Sequence, residues 1–103
     1  MADFVVSGQA HASEKAQRLA SRLSKGSKVT LVPDPENQYD SQAIKVLVNE
    51  HQIGWVNQGC DRKHVIFKRL MKGGSNIGTV DFNEMIKGDG GKLIRSIGIT
   101  TEV

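Results

Sequence analysis

Two β-branched runs, Ala43-Ile44-Lys45-Val46-Leu47-Val48 and Ile53-Gly54-Trp55-Val56, stand four residues apart, and no other feature constrains the fold as tightly. Runs this rich in Ile and Val favour extended backbone. Lys45 points opposite to Ile44 and Val46, as the two-residue repeat of a strand with one solvated face requires. The polar Asn49-Glu50-His51-Gln52 between the runs turns the chain, so the pair is predicted to be a β-hairpin.

Further short runs supply its neighbours. Phe4-Val5-Val6 reads as a first strand ended by Ser7-Gly8. Ser13 is a helix N-cap, followed by apolar Ala16, Leu19, Ala20 and Leu23 at helical spacing, with Gly26 as the stop. Val29 and Leu31 predict a second strand that ends at Pro33, and Asp34-Pro35-Glu36-Asn37 a loop, since the two prolines lack donors and fix φ. Asp61 caps a second predicted helix that runs to Lys72, turns Ile66, Phe67, Leu70 and Met71 inward, and stops at Gly73-Gly74. Ile77 to Ile86 and Leu93 to Val103 form a last strand pair across Lys87 to Gly91. Leu93, Ile97 and Ile99 share one face of the final strand, with Arg95 on that side near the open end. The expected fold is α+β: mainly β with two helices, its six antiparallel strands forming a small OB-like barrel, because closure hides sheet edges. At 103 residues the chain is expected to be one domain over 1–103.

Composition excludes several classes. Hydrophobic residues at 38% and charged residues at 24% allow a modest core and argue against disorder. No apolar run approaches the roughly 20 residues of a membrane span, and the start lacks the pattern of a signal peptide, so a cytoplasmic location is expected with no membrane partner. Cys60 is the one cysteine; it forms no intrachain disulfide, fits a reducing compartment, and rules out a cysteine-based zinc knuckle. His11, His51 and His64 show no metal-ligand spacing, and no metal or cofactor is expected. Gly88-Asp89-Gly90-Gly91 lacks the Gly-Lys-Ser/Thr ending of a phosphate loop and reads as a turn.

The charge is uneven. A net +3 hints weakly at an acidic partner, but Lys15, Arg18, Arg22 and Lys25 recur along the first predicted helix. Arg62, Lys63, Lys68, Arg69 and Lys72 cluster on the second. Such stripes are either solvated faces or tracks for a polyanion. Against this background Asp34, Glu36 and Asp40 gather in one loop with Asn37 and the only Tyr, Tyr39. Loops held on a rigid sheet are common seats of binding residues.

The pattern Asp34-Pro35-x-Asn37-x-Tyr39-Asp40-x-x-Ala43-Ile44-x-Val46, followed by Ile53-Gly54-x-Val56, resembles the HIRAN domain. That family shows an acid-Pro-x-Asn-Pro-Tyr-Asp turn, an Ala-Ile/Val-x-Val strand, and a Gly-aromatic/His-hydrophobic element after a short hairpin. The resemblance implies an OB-like barrel that binds single-stranded DNA, captures a free 3′ end in the best understood members, and serves DNA repair or replication beside a helicase or nuclease. By family position Asn37, Tyr39 and Asp40 carry the terminal nucleotide. Tyr39 offers a ring for a base to stack on. The Asp40 carboxylate accepts a bond from a hydroxyl and repels a phosphodiester, and Asn37 both donates and accepts. Trp55 stands at the family's aromatic or His position, and Lys45 and Arg95 are candidate phosphate contacts. Gln38 replaces the family's Pro. Of Ser7-Gly8-Gln9-Ala10-His11, where the family carries aromatic residues, only His11 can stack.

Other readings of the same residues stand beside this one. Asp40 can cap the turn into the third strand, Tyr39 can be a barrel-rim residue, and Trp55 can belong to the core. Asp34, Glu36 and Asp40 could gather Mg²⁺ in a nuclease, although the spacing about the prolines points Asp34 and Glu36 outward. A protein interaction module using an exposed strand edge or a basic helix is the further alternative.

Overall fold

The structure, a computed structural model, describes residues 2–102. Its six strands are β1 (Phe4–Ser7), β2 (Lys28–Asp34), β3 (Ala43–Val48), β4 (His51–Val56), β5 (Ile77–Lys87) and β6 (Leu93–Thr101), with α1 (Glu14–Ser21) and α2 (Lys63–Met71) between them. They close into an antiparallel barrel in the order β1-β4-β3-β2-β5-β6, the mainly β, OB-like architecture with two helices expected above. Alternate residues Val29, Leu31, Ile44, Val46, Val80, Ile97 and Ile99 fill the interior, and Ala16, Ala20, Ile66 and Leu70 of the helices join the same core. Among the described residues no helix is long and apolar enough to cross a membrane.

The β3–β4 hairpin forms with a tighter turn than expected. Asn49 and Glu50 alone make it, both left-handed with φ 48° and 69°, which suits the twist of a two-residue hairpin. His51 and Gln52, expected in the turn, therefore begin β4, and His51 pairs with Val48. The register shifts between Val46 and Leu47. Gly54 is imposed by packing: a Cβ there would collide with Ser7 O and lie 2.6 Å from Val6 Cγ1, so β1 approaches β4 only because this position is bare.

Strand β2 runs through Pro33 to Asp34, past the expected end. The Leu31 amide donates to Asn76 O on the β5 side, and N–H directions alternate along a strand. The Pro33 nitrogen faces that same side, beyond the start of β5, where no ladder bond is lost. Its other edge stays paired, Pro33 with Ile44 and Asp34 with Ala43.

Ser13 caps α1 as expected, its Oγ accepting from Ala16 N at 3.1 Å. The helix stops at Ser21, short of Gly26, and the Asn83 side chain donates to Ala20 O and Leu23 O at 2.9 and 2.8 Å. Arg22 is its C-cap and Lys25 lies outside it, so the basic stripe is shorter than periodicity suggested. Asp61 does not cap α2. Arg62 occupies the N-cap position, where its side chain makes no capping bond and instead reaches Asp3 Oδ1 at 3.5 Å, and Met71, expected inward, is exposed.

β5 and β6 continue beyond the barrel as a two-stranded ribbon, from Asn83 paired with Ile97 to Lys87 paired with Leu93. Leu93 is therefore 63% exposed, although its period-two neighbours Ile97 and Ile99 are buried. The face is continuous, but the barrel wall beneath it ends. Val103, the expected end of the last strand, lies outside the described residues.

Candidate nucleic-acid interface

The loop between β2 and β3 is shaped by side chains bonding its own backbone. Asn37 Oδ1 accepts from the amides of Tyr39 and Asp40 at 2.9 and 3.0 Å, an Asx turn. Asn37 Nδ2 donates to Asp34 Oδ2 at 3.3 Å. Asp40 Oδ1 accepts from the Gln42 amide at 2.9 Å, and the Ala43 amide returns to Asp40 O at 3.0 Å. The loop thus has a defined shape although Gln38 replaces the family's Pro.

This scaffold presents Tyr39 to solvent with 92% of its surface exposed. An unpacked phenol on an ordered loop offers both ring faces to a planar partner. Asp40, beside it, is tied to α2: Lys63 Nζ donates to Asp40 Oδ2, and the two side chains retain 14% and 23% of their exposure. The Lys63 bond and then the Gln42 amide hold the Asp40 carboxyl below the usual carboxylate range, so it is ionised at neutral pH.

A second surface lies on the outer wall. Val32, Lys45, Trp55 and Ser7 sit opposite one another on β2, β3, β4 and β1, forming one row across four strands. Trp55 is half-buried on this face and is not part of the core. Its ring rests on Gly8, where a Cβ would come within 3.1 Å of Trp55 Cδ1. Lys45, half-buried, is two residues from the loop's end. His11 is exposed at the end of a 3₁₀ turn, Gln9–His11, that follows Gly8.

Arg95 is placed apart from the loop residues. Its Nη1 donates to Asn83 Oδ1 at 2.8 Å, completing the bonds that hold the end of α1 to the ribbon. Asp34 is engaged by Asn37 while Glu36 is exposed, and among the described residues no three His, Cys, Asp or Glu side chains gather as a metal site. Lys63 is the participant that sequence reasoning placed only in a general basic stripe. It lies 23 residues from Asp40, and nothing local in the sequence links the two.

Fold and loop together define a class: a small closed barrel with two helices, offering a tyrosine-bearing polar loop and an aromatic, basic outer wall. The family model for the HIRAN domain matches residues 3–77, and the chain belongs to the HIRAN domain family, a family of DNA-binding domains. A crystal structure of a protein from Lactobacillus plantarum superposes with a TM-score of 0.62 at 20% identity, covering 95% of this chain and 91% of that one. The crystal structure of the HIRAN domain of human HLTF gives a TM-score of 0.58 at 21% identity, covering 96% of this chain and 74% of that one. At these identities the likeness is one of fold. No match to a curated protein was found.

Proposed function

We propose that this HIRAN domain is a non-enzymatic module that binds single-stranded DNA and selects a free 3′-hydroxyl end. The exposed Tyr39 ring on a loop fixed by Asn37 and Asp40 carries the reading, since base stacking on an aromatic is sequence-tolerant and contributes about 1–3 kcal/mol per base. Asp40 next to it stays ionised and has acceptor capacity beyond its bonds to Gln42 and Lys63, because a carboxylate offers about four lone-pair sites. A terminal hydroxyl can donate there, whereas a terminal phosphate meets like charge. Lys63 stands where a neighbouring phosphate needs a cation, and Trp55 and Lys45 extend the path along the outer wall. Asn37 acts through the loop, its carbonyl oxygen being committed to two backbone amides. His11 is a peripheral contact after β1. The module works beside a helicase or nuclease in DNA repair or replication, in a reducing, cytoplasmic setting that fits the single thiol of Cys60.

The test is fluorescence anisotropy of a short labelled strand ending in a 3′-hydroxyl or a 3′-phosphate, at low and moderate salt. The expected result is tighter binding of the hydroxyl end, weakening with salt as released counterions require. Tyr39→Ala should lower the affinity of both strands by about tenfold or more, and Asp40→Ala should remove the difference between them. Equal binding of the two ends by the native protein would defeat end selection, and no binding at low salt would defeat the single-strand reading altogether.

A further inference from the structure

A further concavity lies away from the loop. A groove of about 910 Å³ runs between α1 with its preceding 3₁₀ turn and the β5–β6 ribbon. Its outer wall belongs to residues beyond the segment that the HIRAN family model matches. Ile94 and Met85 are each 48% exposed and Leu93 63%, which gathers on the ribbon most of the exposed large aliphatics among the described residues, and such patches mark interaction sites. Arg18 from α1 and Arg95 from β6 line the same groove, with Glu14 as its one acidic side chain.

The backbone of β6 is also open here. Strand β1 pairs with β6 only at Phe4 with Ile99 and Val5 with Gly98, then leaves to join β4. The Asp3 amide donates to Ile99 O and the Gln9 side chain to Arg95 O at 3.2 Å, so the odd-numbered residues of β6 direct their backbone groups to this side. From Leu93 to Arg95 no strand among the described residues occupies that edge, where Gln9 takes the Arg95 carbonyl and an added strand would displace that side chain. An unpaired edge is a template for an added strand.

We propose that this groove takes an extended segment of a partner protein, which adds to the β6 edge and alternates apolar with acidic side chains. Apolar residues of the segment lie on Leu93 and Met85, and its carboxylates meet Arg18 and Arg95. A single-stranded nucleic acid is a poorer occupant, because such sites stack bases on aromatic rings and the groove's lining has none; Phe82 of β5 is seated over Gly98 instead. A second copy of the chain is poorer too, since an isologous contact would bring two copies each of Arg18 and Arg95 together against only two of Glu14.

The experiment titrates the whole chain with a short fluorescein-labelled peptide of alternating valine and glutamate, with an alternating valine and lysine peptide as control. Saturable binding of the acidic peptide is expected, with amide NMR shifts and slowed exchange at Leu93 and Arg95. Leu93→Lys and Arg18→Glu, both at exposed positions outside the core, should each weaken it by about tenfold while leaving 3′-end binding unchanged. The proposal is overturned by no saturation up to about 1 mM, by equal binding of the lysine peptide, by shifts confined to the Tyr39 loop, or by displacement with a single-stranded oligonucleotide.

Discussion

Replacing Asn37 by Ala separates a residue that shapes the site from one that touches the ligand. The change removes the acceptor of two backbone amides, at 2.9 and 3.0 Å, and the donor to Asp34 at 3.3 Å. A neutral hydrogen bond contributes about 0.5–1.5 kcal/mol net. Water reaches the exposed Tyr39 amide once the side chain is gone, so the three bonds together should amount to about 1–2 kcal/mol. With a urea m-value of about 2 kcal/mol/M for a chain of this size, the midpoint should fall by roughly 0.5–1 M. Trp55, the only tryptophan, lies on the barrel wall and reports the transition by fluorescence. Asn37→Asp keeps the acceptor but loses the donor and sets a second carboxylate beside Asp34, so it should fall between Ala and the native protein. DNA affinity should follow the same order, because Tyr39 and Asp40 lose their fixed positions with the Asx turn. If Asn37→Ala leaves the urea midpoint within about 0.2 M of the native value while abolishing DNA binding, Asn37 is a direct ligand contact and the loop argument is wrong.

Gly54→Ala should destabilise by about 3 kcal/mol or more, since the new Cβ meets the Ser7 backbone and cannot be relieved by a rotamer change. Gly59→Ala, whose Cβ would lie an ordinary 3.4 Å from Asn57 Nδ2, is the control expected to change stability by less than about 0.5 kcal/mol; thermal melts with similar midpoints for both variants would refute the close-approach argument. The Asp40–Lys63 pair should show its sign in pH. The folded carboxyl titrates below its unfolded range near 3.9, so its stabilisation is complete above about pH 4 and is lost as pH falls through the folded value. The stability gap between the native protein and Asp40→Asn should therefore be flat from pH 7 to about 5 and shrink below about 4. A gap that widens on acidification in urea titrations would contradict the pairing.

What the sequence made legible was whatever is decided locally. The Ser13 cap, the β3–β4 hairpin and the barrel strands follow from capping chemistry and two-residue alternation, and the structure has them. The errors arise where a distant partner decides. α1 ends early because Asn83, more than 60 residues on, takes its last carbonyls. β2 carries on past Pro33 to Asp34 because β5 begins at Ile77, opposite Thr30, and leaves no ladder bond for the Pro33 nitrogen to make. Leu93 is exposed because the ribbon outruns the barrel that buries Ile97. At the site, Asn37, Tyr39 and Asp40 were readable as a group from one loop, whereas Lys63 had no sequence signal that distinguished it from the other cations of α2.

Two readings of Asp40, a turn cap and a ligand acceptor, are compatible in this geometry. Oδ1 holds the Gln42 amide and Oδ2 holds Lys63, which fixes where the carboxylate points and keeps it charged. A rigid charged acceptor needs little reorganisation to receive a hydroxyl hydrogen, and preorganisation of that kind strengthens binding by lowering the cost of ordering. A Lys63 that left Asp40 Oδ2 for a terminal phosphate would temper the repulsion that this end meets, so the contrast between the two ends depends on Lys63 remaining on Asp40. The bonds that make Asp40 a structural residue are thus the ones that set how selective it can be. Loss of end selection in Asp40→Ala should accordingly come with a measurable loss of stability in urea titrations.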